Sequence, residues 1–268
     1  MKRLVILLCI FLLLTGCASN PSSRGGESNE QTQDVTLTTE TYDPLERFNR
    51  GVYRFNARFD ESIHYPVARG YQRITPAPVR RGVNNFFSNL GEVTNTANHL
   101  MQGRITRSAR TAGRFAINST LGLAGLFDVA DRIGLEPAPT NFGRTLGRWG
   151  VGAGPYLVLP VVGPSSVRDG MGLATDFTIN RAIDIAGLYD DERLLPLGLL
   201  YGVEIRSQLD FRYYQSGSPF EYEMVRFLYT RKRAIETDGD RSGNSTNVST
   251  QAETFGSAVT IPPVLLVD

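Results

Sequence analysis

The chain has 268 residues with 28 basic and 27 acidic side chains, so its formal net charge of +1 offers nucleic acid no bulk charge to bind. Two cysteines and two histidines leave few groups for metal or nucleophile chemistry. Cys9 and Cys17 lie near the N-terminus, and His64 and His99 are 35 residues apart in no ligand-spacing motif. Composition therefore argues against nucleic-acid binding, and we expect no metal site and no cofactor.

The N-terminus has the form of a lipoprotein signal peptide. A basic pair precedes an apolar run from Leu4 to Leu14, which has secretory rather than membrane-spanning length. The run leads into Leu-Thr-Gly-Cys at positions 14–17, a lipobox in which Cys17 is diacylated and becomes the new N-terminus. We predict a signal peptide over residues 1–16; an ordinary signal peptide with a spare cysteine is the alternative. Ala18 stands where aspartate would retain a lipoprotein in the inner membrane of enteric bacteria, so we expect the outer membrane.

Composition divides the rest of the chain into three parts. Residues 17–42 are mainly small and polar, which predicts a lipidated N-terminus and a flexible tether. Residues 43–236 show helical periodicity and are numerous enough to bury one sizeable core. Residues 237–268 start as low-complexity polar sequence, which predicts a disordered tail, and end in an apolar run that no pattern explains.

The first predicted helix begins at Asp43, because Asp43 is a good N-cap, Pro44 suits the first turn and Glu46 completes a capping box. Tyr65-Pro66 should end it. Its apolar residues alternate three and four positions apart, which places them on one face: Leu45, Phe48, Val52, Phe55, Phe59 and Ile63. Such a stripe is typical of a core-facing helix in a soluble bundle and equally of an interfacial helix in a membrane.

Further helices follow from periodicity, from prolines at their starts and from glycines at their ends. One of them carries Asp176 and Asp184, eight residues apart, which we interpret as solvated positions rather than as an acid–base pair. The predicted bounds are 75–91, 92–101, 105–121, 171–188, 194–215 and 219–234.

A stretch rich in glycine and proline, from Gly143 to Asp169, stands apart from these helices. Its centre, Tyr156 to Val162, is apolar but far shorter than the about 20 residues of a spanning helix. Because glycine and proline disfavour regular helix, the stretch predicts an apolar hairpin or re-entrant loop. At membrane depth its backbone would have to be buried in protein or face a water-filled cavity. A buried turn–strand–turn in a soluble core is the alternative.

Four blocks of sequence carry a resemblance: DPLERFNR at 43–50, FFSNL at 86–90, TNFGRTLG at 140–147 and GVGAGPYLVLP at 150–160. The last block continues through Gly163 to Arg168-Asp169. In this order, and together with the lipobox, the blocks resemble the MlaA (VacJ) family of outer-membrane lipoproteins over about residues 43–235. So many ordered blocks are more specific than any single motif.

The resemblance implies a mainly α-helical fold, a ring of amphipathic helices lying in the periplasmic leaflet with the hairpin beside a central channel. Phospholipids mislocalised in the outer leaflet would pass through this amphipathic channel to a periplasmic lipid-carrier protein of the same pathway. This retrograde transport maintains the lipid asymmetry of the outer membrane. Trimeric porins are implied partners, and the chain would be lipid-anchored and embedded in the outer membrane, facing the periplasm.

The resemblance also points to site residues. The hairpin, at 150–163, is expected to border the lipid path, and Ser166 to cap the next helix with Asp169 three residues on. The hairpin and channel candidates are Gly150, Gly152, Gly154, Pro155, Tyr156, Leu157, Leu159, Pro160 and Gly163. The candidates for binding the headgroup phosphate are Arg144, Arg148 and Arg168, and those of a gating first helix are Phe48, Phe55, Asn56 and Phe59.

Two other functions stay open. A structural lipoprotein could brace porins without passing lipid. A lipid hydrolase is less favoured, because His64 or His99 would have to serve as its base. We expect no enzymatic activity.

Overall fold

Helices make up nearly all the regular structure of the computed structural model, which describes residues 43–184, 188, 191–210, 212–215 and 218–242. The predicted signal peptide, Cys17, the tether and the tail beyond residue 242 lie outside these residues. The mainly α-helical fold is confirmed. Its elements are α1 (Glu46–Phe59), a π-helical turn (Asp60–His64), α2 (Tyr65–Ile74), α3 (Ala77–Met101), α4 (Ile105–Thr120), α5 (Val129–Arg132), α6 (Phe142–Arg148), β1 (Tyr156–Leu159), β2 (Gly163–Ser166), α7 (Val167–Ile183), α8 (Asp191–Ser207) and α9 (Glu221–Ser242).

The first helix begins at Glu46, and the predicted capping box at Asp43 was wrong. Leu45 occupies the N-cap position and offers no side-chain cap. The Asp43 carboxylate instead accepts hydrogen bonds from Leu45 N at 3.2 Å and from Asn49 Nδ2 at 2.8 Å. Its other oxygen accepts from Tyr222 OH at 2.5 Å, so the carboxylate bonds to side chains from α1 and α9.

The helical path also continues through Tyr65-Pro66, where the sequence predicts an end. The π-helical turn joins α1 directly to α2, and Pro66 lies in the first turn of α2. Proline is tolerated in a first turn, because its fixed φ suits a helix and its missing N–H removes no bond there. That position explains why the predicted break was wrong.

α3 is one helix of 25 residues, although the sequence predicts two helices on either side of Gly91. Glycine inside a helix costs only about 1 kcal/mol relative to alanine. α3 forms the most extensive helix–helix contact of the described fold, with α4, and that packing outweighs the cost. Gly103, with φ +71°, follows the end of α3 and turns the chain into α4.

The C-terminal helices differ from their predicted bounds. α8 ends at Ser207, where the Arg206 guanidinium donates to Leu209 O at 2.9 Å and closes the turn. α9 continues to Ser242, so the disorder predicted from residue 237 was wrong for residues 237–242. Glu236 pairs with Lys232 and Arg233 one turn earlier, which supports helix there.

The glycine- and proline-rich stretch contains an antiparallel pair of short strands. β1 and β2 pair from Tyr156 opposite Ser166 to Leu159 opposite Gly163. The turn between them places Val161 at φ +67° and Gly163 at φ +98°. The pairing therefore runs three residues past the predicted bound at Gly163, and Ser166 then caps α7 by accepting from Asp169 N at 3.2 Å.

One apolar cluster connects α1, the hairpin and α9. Tyrosines form most of it, and their rings meet edge to face. Its buried members are Tyr53, Tyr156, Val158, Tyr222, Val225, Leu228 and Tyr229. The cluster holds the hairpin between the first and the last described helix.

Elsewhere the distribution of polarity is inverted, since polar side chains outnumber hydrophobic ones among the buried residues of the described part. In α1, Phe48 and Phe55 are 55% and 51% exposed, whereas Asn49 and Asn56 are buried on the other face. Large exposed hydrophobic side chains recur on most other helices; Ile74 is 82% exposed. The described helices include none with the length and hydropathy that crossing a bilayer requires. Amphipathic helices are thus present, but Phe48 and Phe55 do not face a core.

Candidate functional site

Two asparagines of α1 hold the hairpin through its backbone. Asn49 donates from Nδ2 to Tyr156 O at 3.0 Å and accepts at Oδ1 from Val158 N at 2.9 Å. Two turns later, Asn56 donates to Leu159 O at 3.0 Å and accepts from Val161 N at 2.8 Å. A primary amide presents the same donor and acceptor as a peptide group. The two asparagine side chains therefore bond to the backbone of β1 as a neighbouring strand would. The position of the hairpin is thereby tied to the register of α1.

Asn56 is a predicted site residue, whereas sequence reasoning missed Asn49. The signal was present as a repeat, because Arg-Phe-Asn occurs at 47–49 and again at 54–56. Residues seven apart lie on one face of a helix after about two turns of 3.6 residues. Polar residues repeating at that spacing within an otherwise apolar periodicity indicate a second face with its own partner.

The hairpin has an inner and an outer face. Tyr156 and Val158 are buried in the tyrosine-rich cluster, so they belong to the core. Leu157 and Leu159 alternate with them, are half-buried and lie beside Gly170 at the start of α7. Of the predicted hairpin and channel residues, Leu157 and Leu159 therefore face away from the tyrosine-rich cluster.

Only some of the predicted hairpin glycines have a backbone conformation that requires glycine. Gly150, Gly154 and Gly163 have φ values of +95°, +69° and +98°, where a Cβ is strained. Gly152 has no such constraint, and a Cβ built there meets nothing within 4 Å. Pro155 O and Pro160 O both accept backbone hydrogen bonds that close the ends of the hairpin.

A buried carboxylate fixes the base of the hairpin to α9. Asp169 Oδ2 accepts a hydrogen bond from Tyr229 OH at 2.5 Å and forms an ion pair with Arg233 Nε at 3.1 Å. Arg168, 3% exposed, donates from Nε to Asp169 Oδ1 at 3.1 Å and from Nη1 to Val151 O at 3.3 Å. Burial by itself would raise the pKa of Asp169, but the charge of Arg233, the Tyr229 hydroxyl and Arg168 lower it. The structure thus places one predicted headgroup arginine in a buried ion pair.

α6 and α7 approach each other at glycine. A Cβ added to Gly172 would lie 2.4 Å from Gly143 N, which is far inside van der Waals contact. Asp176, on the same face of α7, accepts from Phe142 N at 2.8 Å and from Asn98 Nδ2 at 2.8 Å. The interpretation of Asp176 as a solvated residue was wrong, because it lies buried at the N-terminus of α6, and burial raises its pKa.

The comparisons with known proteins agree with this architecture. A family model described as MlaA lipoprotein matches residues 41–236. The chain belongs to the MlaA lipoprotein family. It is 34% identical over 90% of both chains to the intermembrane phospholipid transport system lipoprotein MlaA of Escherichia coli (strain K12).

Two further matches extend the comparison. An uncharacterised protein of Rickettsia prowazekii is 42% identical over 53% of this chain, a match that spans only 57% of the Rickettsia protein. A solved structure from work on the structural basis for maintenance of bacterial outer membrane lipid asymmetry superposes with a TM-score of 0.61. It is 32% identical and covers 73% of this chain and 99% of that one.

In this family member, the predicted gating residues lie on both faces of α1. Phe48 and Phe55 are exposed, and Phe55 stacks on Phe59 with ring centroids 6.2 Å apart. Asn56 faces inward to the hairpin. The π-helical turn follows at once, and its Asp60 forms a two-pronged ion pair with Arg206 of α8, at 2.5 and 2.9 Å.

The histidines of this MlaA family member contact backbone carbonyls. His99 is 1% exposed with Nε2 2.8 Å from Ala138 O, and burial lowers its pKa. His64 Nε2 lies 3.0 Å from Gly202 O and its Nδ1 3.8 Å from Asp60. These contacts give both rings a place in the packing, and the named relatives are transport lipoproteins rather than enzymes.

The other two predicted headgroup arginines lie where α6 meets the end of α3. Arg148 donates from Nε to Gln102 O at 2.9 Å, and Arg144 donates from Nη1 to Pro139 O at 3.4 Å. The Gln102 side chain donates to Thr140 and Thr145 at 2.9 and 3.0 Å and is itself buried. Gln102 thus connects Arg148 to Thr140 and Thr145 at this junction.

Proposed function

We propose that this chain is an outer-membrane lipoprotein that removes mislocalised phospholipids from the outer leaflet and passes them to a periplasmic carrier protein of the same pathway. The observation that carries the proposal is the inverted polarity of the helices, with polar side chains inside and large hydrophobic ones outside. Family membership and the transport role printed for the Escherichia coli relative support it. The transfer needs no bond to be made or broken, so we propose no enzymatic activity.

The exposed hydrophobic side chains favour a helix arrangement lying in the periplasmic leaflet. Large exposed apolar surfaces mark membrane or partner contacts, and helices with one apolar face lie in the interface rather than across it. In our proposal, the two acyl chains on Cys17 anchor the protein. Exposed side chains such as Phe48, Phe55, Ile74 and Leu121 add apolar contact that embeds the helices in the leaflet.

The lipid path in this proposal runs beside the hairpin. Acyl chains need an apolar wall, which the outer leucines Leu157 and Leu159 offer, and a headgroup needs polar donors. Of the three arginine candidates, Arg168 is buried against Asp169, whereas Arg144 and Arg148 are partly exposed and stay our candidates for the phosphate. α1 acts as the gate or rim, because the amides of Asn49 and Asn56 tie its register to the hairpin.

Trimeric porins and the periplasmic carrier enter this proposal as partners through the family resemblance. A structural lipoprotein that braces porins is the rival, and it differs in one respect. A bracing lipoprotein would bind porins through the outer surface of the domain, and its function would not depend on the open space next to the hairpin.

Gly152 offers a test that separates these functions. A Cβ at Gly152 meets no described atom within 4 Å and its φ lies outside the strained left-handed range, so the Gly152→Leu protein should reach normal abundance. If the open side of the hairpin is the lipid path, the leucine should obstruct it and outer-leaflet phospholipid should accumulate. The measurement is outer-leaflet phospholipid, beside protein level and porin co-purification. Gly172→Leu is the contrast, since the clash with Gly143 should lower abundance first.

The opposite result is equally informative. Normal lipid asymmetry with Gly152→Leu at normal abundance would count against a path along the hairpin and leave the bracing role. Joint loss of abundance and asymmetry in Gly152→Leu would mean that the site is packed, contrary to its open surroundings.

A further inference from the structure

The last described helix, α9, contains the same pair of residues twice, as Tyr222 with Arg226 and as Tyr229 with Arg233. The two pairs are seven residues apart, so they lie on one face of the helix, about 10 Å from each other. In each pair the guanidinium lies over the ring of its own tyrosine. Arg226 Cζ is 5.7 Å and Arg233 Cζ is 5.8 Å from the centroid of that ring. A repeat of this kind indicates that both pairs serve the same purpose.

The first pair binds a carboxylate that lies just before α1, and we call Asp43, Tyr222 and Arg226 the Asp43 clasp. Tyr222 OH donates to Asp43 Oδ2 at 2.5 Å, and Arg226 Nη1 donates to the same oxygen at 3.3 Å. The Asp43 side chain is 1% exposed. Its other oxygen accepts from Asn49, whose amide also bonds to the backbone of β1. The Asp43 clasp therefore connects α9 to the first strand of the hairpin through Asn49.

The second pair repeats the arrangement at the other end of the hairpin, in the Asp169 clasp of Asp169, Tyr229 and Arg233. Tyr229 OH donates to Asp169 Oδ2 at 2.5 Å, and Arg233 Nε lies 3.1 Å from the same oxygen. Asp169 lies in the first turn of α7, directly after β2, where Ser166 caps the helix. The two clasps thus connect both strands of the hairpin to one face of α9.

Tyr156, the first residue of β1, contacts both clasps. Its ring meets Tyr222 edge to face with centroids 6.2 Å apart, and it meets Tyr229 in the same way at 5.8 Å. Its carbonyl oxygen accepts from Asn49, the residue that the Asp43 clasp holds. Side-chain and backbone contacts that lead back to α9 therefore fix the same residue of the hairpin.

Stability alone does not account for two such clasps. A buried ion pair loses hydration, and apolar residues of similar volume in its place are often as stabilising or more so. Hydrogen bonds, however, depend steeply on distance and angle, whereas apolar contact is non-directional. A displacement of the hairpin along α9 would break the bonds of both tyrosines at once. The arrangement is typical of a segment that has to keep one position.

We propose that Asp43 and Asp169 are positioning residues, which hold the hairpin through the two clasps in the place that lipid transfer requires. Neither carboxylate contacts lipid in this proposal, because each acts through a tyrosine and an arginine of α9. The inference rests on the proposed function, in which the hairpin borders the lipid path, and adds the residues that set its position.

Removing one hydroxyl at a time tests the clasps. Tyr222→Phe and Tyr229→Phe keep the ring packing and remove only the hydrogen bond to the carboxylate. Because bonds to charged groups are strong, we expect about tenfold faster hydrogen exchange at the affected end of the hairpin, measured on the full acylated protein in detergent. Tyr222→Phe should act on the Val158 amide, and Tyr229→Phe on the Arg168 amide, which donates to Ala153 O at 3.1 Å. A general loss of stability would instead raise exchange at both amides in both variants.

Lipid transfer is measured in cells as outer-leaflet phospholipid per amount of protein. We expect more outer-leaflet phospholipid in Tyr222→Phe and in Tyr229→Phe, and the most in the double variant. Tyr201→Phe is the matched control, since it removes a hydroxyl from α8 where the side chain is 44% exposed. It should leave both the exchange rates of the hairpin and the lipid asymmetry unchanged.

A double-mutant cycle shows whether a hydroxyl acts through its carboxylate. In an Asp43→Ala background, Tyr222→Phe should have no further effect on exchange at Val158, because the hydroxyl has lost its acceptor. Additive effects of the two substitutions would show that Tyr222 stabilises the hairpin independently of Asp43 and would overturn the proposal.

The other outcomes separate this inference from the proposed function. Unchanged exchange at Val158 and Arg168 in the two tyrosine variants would overturn the clasps directly. Faster exchange with normal lipid asymmetry would overturn their role in transfer, and Gly152→Leu then decides what else falls. If Gly152→Leu still blocks transfer, the path beside the hairpin stands and only the positioning role is wrong. If Gly152→Leu is silent as well, the path itself is wrong.

Discussion

The region around the hairpin and the region around α3 and α4 have opposite interiors. Between α1, the hairpin and α9 the buried cluster is tyrosine, valine and leucine. Between α3, α4 and α5 it is polar: Asn89, Glu92, Arg114 and Asn118 are all at most 3% exposed. Both regions nevertheless expose large hydrophobic side chains outward, such as Phe48 on α1 and Ile105 on α4.

The difference follows from the elements that each interior joins: long helices in one region and a short β-hairpin in the other. In the membrane setting that we propose, the surroundings of the domain are as apolar as any core, so hydrophobic burial gives helices little reason to associate. The α3–α4 region is joined instead by charge and hydrogen bonds: Arg114 reaches Glu92 at 2.6 Å and Asp128 at 2.9 Å. The hairpin has only two short strands, which are marginal alone, and a compact apolar cluster supports them.

Breaking the polar interior should have the largest effect. Arg114→Met keeps the bulk of the side chain but leaves the Glu92 and Asp128 carboxylates without their cation. We expect a loss of about 3–5 kcal/mol in the free energy of unfolding, because a buried charge stays uncompensated. Thermal unfolding in detergent, or the protein level in cells, measures it.

A second substitution makes that result specific. Glu92→Gln together with Arg114→Met removes a charge from each side and should recover part of the stability. If Arg114→Met alone unfolded no more easily than wild type, the polar network would be an incidental feature of the packing.

Much of this contrast could be read from the sequence, and one part could not. Periodicity located the helices and the apolar stripe of α1, and the glycines and prolines located the hairpin. Neither pattern says which face of a helix is buried. The spacing of Phe48 and Phe55 is the same whether the apolar face of α1 packs into a soluble core or lies against a membrane. Nor does spacing reveal that Asn49 and Asn56 meet the backbone of residues about a hundred positions later.

The ends of the helices were the second feature that the sequence did not predict correctly. Pro66 and Gly91 are breakers by local propensity, yet both lie inside continuous helical paths. Propensities of about 1 kcal/mol for glycine are outweighed by packing between long helices, and such packing depends on residues far apart in the chain. The polar junctions also escape sequence reasoning, since Asp176 looks like an ordinary helix-surface residue until Phe142 N and Asn98 meet it.

Detaching the hairpin from α1 should be the next largest effect. Asn49→Ala removes its two bonds to the hairpin, together with its bond to Asp43, and leaves Val158 N and Tyr156 O buried without these partners. Each orphaned backbone group costs about 1–3 kcal/mol, so we expect a loss of roughly 2–4 kcal/mol concentrated at the hairpin. Hydrogen exchange of the Val158 amide is the direct measurement.

Asn56→Ala serves as the comparison, because its two bonds lie nearer the tip and are less buried. It should raise exchange at Val161 while leaving Val158 protected. Equal exchange at the Val158 and Val161 amides in both variants would mean that the hairpin opens as one unit. The two asparagines would then not stabilise separate parts of it.

The smallest change in stability should come from a substitution in the apolar cluster, and it should stabilise the protein slightly or leave it unchanged. The Tyr156 hydroxyl is buried and has no hydrogen-bond partner among the described residues, while Tyr53 OH donates to Glu221 at 2.6 Å. Tyr156→Phe removes a polar group that lost its water without gaining a bond, so stability should stay level or rise by up to about 1 kcal/mol. Tyr53→Phe, the same chemical change, should cost about 1.5–3 kcal/mol because its partner is a charged group. Denaturant unfolding of the two variants in parallel tests the pair, and a loss for Tyr156→Phe as large as that for Tyr53→Phe would show that the Tyr156 hydroxyl has a bonding partner after all.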